Sequence, residues 1–368
     1  MSKSKITYLF LDERKERVAN DDYADDFFYG YKYLLKKGYD LSIIEMKNSN
    51  ESNFKNLLKF IDRCLRKISH CSFFISEMIS KENFKIFKQT DILVVTNDRL
   101  GYSSLPFLIF LRFKKKKIIM FVMGMVKLEY KNFITKYFTN LFMKLLIYTC
   151  NNLIFLSESE YEEAKSRCSN QKSKMQYIPF CIDTSFWSRE NEYINNNKIL
   201  FIGNDGNRNY GLVEKIVNNL KDTSSTLVTR RIPESGLNKN VKLFRTSWKS
   251  NHISDKDLKK IYEESSLVFI PLKDSLQPSG QSVALQAMSM GVPVMISDTA
   301  GFWDRNNLID KENILIVQSE NVDDWCHKIQ EILDNDTLLK NISEKAVTTV
   351  QKYYDKNNLF KKLGELID

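Results

Sequence analysis

With only three histidines in 368 residues, the sequence offers few candidates for an imidazole base or a metal centre. His70 lies where a helical stretch gives way to a loop, His252 just ahead of a helix start near Ser254, and His327 on an amphipathic stretch; each reads as structural. The six cysteines, Cys64, Cys71, Cys150, Cys168, Cys181 and Cys326, include no Cys-x-x-C pair. Their spacing argues against a zinc site or a disulfide framework and for a reducing compartment. No apolar run approaches the roughly 18–20 residues of a membrane-spanning helix, and the N-terminal run is too short for a secretion signal. A cytoplasmic chain is therefore expected, soluble or peripheral on the inner face of a membrane. No Gly-x-Gly-x-x-Gly turn follows either leading strand, which counts against nicotinamide binding. Repeats of solenoid period are also missing.

What is present is a globular composition: 43% hydrophobic, 27% charged, with 24 Phe and 17 Tyr. A chain of this length can bury two cores. Short apolar runs alternate with longer amphipathic stretches. "ITYLFL" (6–11), "LSIIEM" (41–46), "DILVVT" (91–96), "KIIMFVM" (117–123) and "NLIFLS" (152–157) read as buried parallel strands. A second series runs through "KILFIG" (198–203), "STLVT" (225–229), "VKLFR" (241–245), "SLVFIPL" (266–272) and "PVMIS" (293–297). Helical spacing occupies 24–37, 52–68, 130–148 and 341–367, among others. The pattern predicts an α/β protein of two doubly wound domains, 1–185 and 186–349, with a terminal helix of about 350–368 packing back on the first. The junction falls in "IPFCIDTSFWSRENEYINNN", marked by Pro179, Asp183 and a run of Asn.

The densest motif is residues 271–294, "PLKDSLQPSGQSVALQAMSMGVPV". A strand end leads into a loop holding Pro278, Ser279 and Gly280, then a helix that stops at Gly291. Small residues ahead of a helix let a ligand approach the backbone, and the first-turn N–H groups with the helix dipole suit a diphosphate. The amide of Gln286 is of a type that bridges ribose hydroxyls. An ordinary strand–loop–helix of any α/β protein has the same outline. With its continuation to Asp304, the stretch resembles the donor-site signature of retaining glycosyltransferases of family 4. "IPFCIDTSFW" resembles their interdomain linker, and "ILFIGNDGNRNYGLV" their first C-domain strand and phosphate loop. The resemblance covers about 178–304 and is architectural before that. It implies a GT-B fold, two Rossmann-like domains facing across a cleft, a nucleotide-sugar donor and retention of anomeric configuration.

The departures from the family pattern are specific. Pro278 stands where the family has the Glu that holds the donor sugar, and Gln286 where it has the Glu that holds the ribose. Gln277, Ser279 and Gln281 are the candidates to take over the first role. In "GNDGNRNYG", Asn204 and Arg208 fall near the family's pyrophosphate-neutralising pair, and only Arg208 is charged. A loop with Gly203 and Gly206 followed by a fixed cation suits a departing diphosphate. Arg230 and Arg231 read as surface residues. The expected donor site is therefore Gly203, Asn204, Gly206, Arg208, Gln277, Ser279, Gly280, Gln281, Ser282 and Gln286, with Arg208 stabilising the diphosphate in catalysis.

The family also places a His after a central N-domain strand; "FVMGMVKLEY" stands there instead, with Met123 and Gly124. No general base is assigned. In place of the family's glycine-rich acceptor loop is "DERKERVANDDYADDFFYGY", so Asp21, Asp22, Tyr23, Met123 and Gly124 are the candidate acceptor contacts. The triplet Asp255-Lys256-Asp257 looks like a metal motif, but behind Ser254 it reads as a capped first helical turn. No metal, and no cofactor besides the donor substrate, is expected.

Charge is uneven. Residues 1–180 hold 31 Lys+Arg against 20 Asp+Glu, and residues 101–150 alone hold 9 against one acid, Glu129. There Lys114, Lys115, Lys116 and Lys117 precede a helix with Phe133, Ile134, Tyr137, Phe138, Leu141, Phe142 and Leu145 on one face. Apolar bulk beside lysines suits anionic lipid headgroups; a core-facing helix after a solvated turn is the other reading. No nucleic-acid module accompanies the charge, so nucleic acid is not an expected partner. The function expected is retaining sugar transfer from a nucleotide-diphosphate sugar to a glycan or lipid-linked acceptor at a membrane surface. The alternatives are a nucleotide-sugar 2-epimerase on the same fold and a non-catalytic nucleotide-binding α/β protein.

Overall fold

A strand covered by helices on both faces can be apolar at every position, which is why the uninterrupted Val, Ile, Leu and Phe runs become parallel strands here. The structure, a computed structural model, describes residues 4–11, 13–46, 53–126, 129–190, 192–246 and 253–368; His252 lies outside the described residues. The chain divides into two units. One comprises Met1–Asp21, Phe27–Pro179 and Leu359–Asp368, the other Asp22–Asp26 and Phe180–Asn358.

The first unit carries β1 (Lys5–Leu11), β2 (Asp40–Met46), β3 (Ile92–Val95), β4 (Lys117–Val122), β5 (Asn152–Phe155) and β6 (Met175–Tyr177) in one sheet ordered β2-β1-β3-β4-β5-β6. Every neighbouring pair is parallel. The second unit carries β7 (Lys198–Ile202), β8 (Ser224–Val228), β9 (Val241–Phe244), β10 (Leu267–Ile270), β11 (Val294–Ser297) and β12 (Leu315–Val317), ordered β12-β11-β10-β7-β8-β9 and again all parallel. Residues of β3, β10 and β11 are buried without exception. In the second unit Ile199, Phe201 and Phe269 pack with Val213 and Ile216 of the helix Tyr210–Asn219 and Trp325 of the helix Val322–Leu333. Each such aliphatic or aromatic side chain contributes roughly 1.5–3 kcal/mol on burial.

Two elements differ from the sequence-based expectation, and a third settles between two readings. The stretch 24–37 is not one helix: Tyr29 (φ 47°) and Gly30 (φ 81°) turn the backbone left-handed between a short 3-10 turn, Asp26–Phe28, and the helix Tyr31–Lys36. The terminal stretch is two helices, Asp336–Tyr353 and Lys356–Ile367, because Asp355 leaves the helix to bridge Ile182. Helix Phe133–Thr149 turns its threonine face inward. Thr135, Thr139 and Met143 are buried, while Phe133, Ile134, Tyr137 and Leu141 are exposed. Ser254 does cap its helix, Asp255–Glu263, accepting the Asp257 N–H at 3.1 Å with both acids in the first turn.

Candidate functional site

In the second sheet the connections run one way from β7 to β8 and β9, and the other way through β10, β11 and β12. The loops leaving β7 and β10 therefore part at their C-terminal ends, the switch point at which open α/β sheets bind ligands. The two motifs singled out in the sequence are these two loops. They are strapped together: the Asn209 N–H donates to the Pro271 carbonyl at 2.9 Å and the Lys273 N–H to the Asn207 carbonyl at 2.8 Å. Asn207 Nδ2 also donates to Ser279 Oγ at 3.0 Å.

Arg208 is the centre of this arrangement. It is 3% exposed, with Nη1 2.9 Å from the Asp205 carboxylate and Nε 3.4 Å from the Ile202 carbonyl. Burial pushes its guanidinium down from the ordinary arginine range, and Asp205 opposes that shift. Gly203 makes room for it, since a Cβ there would lie 2.7 Å from Arg208 Nε and 2.8 Å from Cγ. Gly280, at φ +85°, precedes the helix Gln281–Ser289, and a Cβ on it would sit 3.8 Å from Arg208 Nη1. The guanidinium thus stands at the head of a helix whose N-cap has no side chain to offer, where dipole and N–H groups already favour an anion.

The other expected donor residues divide. Ser279, Gln277 and Ser282 are half-buried on or next to the loop, and Gln281, 4% exposed, opens the helix. Gly206 faces open space. Asn204 ties the β7 loop to the segments after β8 and β9: its Oδ1 accepts the Arg230 N–H at 2.9 Å and its Nδ2 donates to the Thr246 carbonyl. Gln286 lies deeper, 4% exposed, donating from Nε2 to Asp26 Oδ2 at 2.8 Å and accepting from the Tyr262 hydroxyl at 3.2 Å. A ribose would have to replace one of those bonds.

Asp26 was not expected to matter, yet it organises this inner layer. Its Oδ1 accepts the Asp183 N–H at 2.6 Å, and its Oδ2 accepts Trp187 Nε1 and Gln286 Nε2, both at 2.8 Å. Burial pushes its carboxyl up to about 7, against these three donors. Lys356 reaches Asp183 at 2.6 Å and Asp25 at 3.2 Å, completing a chain of charges around the "IPFCIDTSFW" stretch. The acidic run Asp21, Asp22, Asp25, Asp26 carries no local signal that singles out Asp26; its partners lie far along the chain.

The candidate acceptor residues are split between the units, with Asp22 and Tyr23 in the second and Asp21, Met123 and Gly124 in the first. The Asp22 carbonyl accepts the Lys256 N–H at 3.2 Å. Gly124 follows β4 at φ +98°, and buried Glu160 fixes that turn by accepting the Gly124 and Val126 N–H groups. Of the four lysines, Lys114 and Lys115 are exposed in a turn, Lys116 pairs with Asp91 at 2.7 Å, and Lys117 opens β4. Among the described residues no cluster of metal-ligating side chains occurs, and no helix is long and apolar enough to cross a membrane.

Residues 197–335 match the family of glycosyl transferases group 1. Over the full length the fold is similar to that of a sucrose-phosphate synthase from Thermosynechococcus elongatus (TM-score 0.70, 13% identity, 99% of this chain and 98% of that one). A glycosyltransferase from Rickettsia africae aligns at TM-score 0.64 with 14% identity over 100% and 98% of the two chains. Anabaena HepE, solved in complex with UDP and glucose, aligns at 0.64 with 11% identity over 98% of each. A search of curated proteins finds no match.

Proposed function

We propose that the chain, whose residues 197–335 match the glycosyl transferases of group 1, is a glycosyltransferase whose donor is a nucleotide-diphosphate sugar held at the β7/β10 switch point. The observation that carries this reading is the buried guanidinium of Arg208, seated against Gly203 at the head of the Gln281–Ser289 helix. Negative charge grows on a departing diphosphate, and a fixed cation beside an uncapped helix N-terminus stabilises that charge more than it stabilises the bound donor. The Asp205 carboxylate now beside Arg208 is the group a donor phosphate would displace. Gly280 and Ser279 with the first-turn N–H groups cradle the phosphates, and Gln277, Gln281 and Ser282 are the polar side chains next to them. HepE, caught with UDP-glucose, supports a nucleotide sugar as the ligand class.

The transfer proceeds with retention, a reading that rests on the resemblance of 271–294 to family 4. The acceptor is a glycan or lipid-linked chain at the inner face of a membrane, for which Asp21, Met123 and Gly124 are candidate contacts in the first unit and Asp22 and Tyr23 in the second. No metal is proposed at this site, where Arg208 and the helix N-terminus are the counter-charge for the diphosphate. A panel of UDP-, GDP-, ADP- and TDP-sugars, assayed for binding and for slow donor hydrolysis, tests the reading. At least one should bind and be hydrolysed; a chain that binds none of them is not using this loop as a donor site.

A further inference from the structure

Helix Asn53–Ser69 carries a wider apolar sector than its unit covers. Leu58, Asp62 and Ser69 face inward, yet Phe54, Leu57, Phe60 and Ile61 are left exposed, Phe54 at 59% and Phe60 at 57%. Phe54, Leu57 and Ile61 recur at the i, i+3, i+7 spacing of a single face. Five cations from Lys55 to Lys67 lie off that stripe. The one acid of the helix, Asp62, is buried and occupied by the N–H groups of Ile75 and Ser76.

Helix Phe133–Thr149 packs against it, the Thr139 hydroxyl donating to the Ser69 carbonyl. It repeats the pattern. Phe133, Ile134, Tyr137 and Leu141 are exposed, and the helix contains no acid. At its far end Arg112 and Lys174 stand over the Tyr148 ring, at 5.8 and 5.6 Å. Phe113, 82% exposed, comes just before Lys114 and Lys115.

We infer that the exposed faces of these two helices are a docking surface for an anionic lipid bilayer. Apolar stripes with Phe and Leu, edged by Lys and Arg and free of exposed acid, have the composition of helices lying at the boundary between headgroups and acyl chains. Each cation held at an anionic surface strengthens binding about fivefold. A second copy of the chain fits less well, because a two-fold contact would set the same cationic rims against each other. The inference deepens the membrane-borne acceptor proposed above and rests on it for its purpose, while its test is independent of the donor.

The full chain should float with vesicles containing phosphatidylglycerol, more weakly as salt rises, and not with pure phosphatidylcholine vesicles. Leu57→Gln with Ile134→Gln should lower vesicle partition about tenfold or more, and Arg63→Gln with Lys67→Gln should lower it about tenfold or more at low salt. All four side chains are exposed, so nucleotide binding by calorimetry should be unchanged in both variants. A wild type that ignores anionic vesicles, or variants that float as it does, would overturn the inference. So would a dimer by light scattering that the Leu57/Ile134 variant abolishes, because the face would then belong to a second copy. Vesicle binding that survives failure of the sugar panel would leave this surface standing without the donor site; the opposite pattern would remove this surface alone.

Discussion

Replacing Gly280 with alanine tests the backbone on which the donor loop depends. At φ +85° an alanine costs about 1–2 kcal/mol relative to glycine. Its methyl would also lie 3.1 Å from Ile270 Cγ2 and 3.3 Å from Ile296 Cδ1. Both isoleucines are wholly buried in β10 and β11 and have nowhere to retreat, so overpacking adds about 1–2 kcal/mol. The total, about 2–4 kcal/mol, should lower the melting temperature of the second unit by about 5–15 °C. Gly206→Ala supplies the internal control, since no atom lies within 4 Å of its added methyl; its effect should stay within about 0.5 kcal/mol. Differential scanning calorimetry of the two variants beside the wild type is the assay. If Gly280→Ala melts with the wild type, the left-handed turn ahead of the helix is not the conformation the protein holds.

Two further substitutions reach other parts of the account. Gly203→Ala places a methyl 2.7 Å from Arg208 Nε, so the guanidinium must swing away; nucleotide-diphosphate affinity should fall about tenfold or more, read by calorimetry, with the fold retained. Asp26→Asn should change how stability depends on pH. The folded carboxyl sits at about 7, above its ordinary 3.8, so Asp26 stabilises the fold when protonated, fully below about pH 4, and that contribution is lost as pH rises through about 7. Relative to a non-titrating asparagine, the wild type should lose about 4 kcal/mol across that window; urea unfolding curves that stay parallel for the two proteins between those pH values would refute it.

Most of the strand layout was legible, ten strands of the twelve: buried parallel strands such as β3, β10 and β11 announce themselves as unbroken apolar runs, while β2, β8 and β9 show mixed runs rich in β-branched and apolar residues. The two that were not, β6 and β12, are three-residue strands at sheet edges, too short to show any period. Both loops of the proposed donor site could be placed at the sheet's switch point because glycines and a helix start leave local traces. What stayed hidden is tertiary. Gln286 reads as an amide open to a ribose until Asp26, 260 residues away, is seen to hold it. Nor does helical spacing show which face turns inward: in Phe133–Thr149 threonines satisfy their hydroxyls on carbonyls inside the unit, as Thr139 does on Thr135, and the aromatics are left outside.

In the function proposed above, Arg208 and the turn before the Gln281–Ser289 helix form a diphosphate site. Isothermal calorimetry of the best-binding nucleotide diphosphate, wild type against Arg208→Ala, is the test of that site. Loss of one charge-assisted contact of about 1.5–3 kcal/mol predicts a fall in affinity of roughly tenfold to a hundredfold or more, steeper at low salt, with the melting curve little changed. Equal affinity in a folded Arg208→Ala protein would contradict the claim.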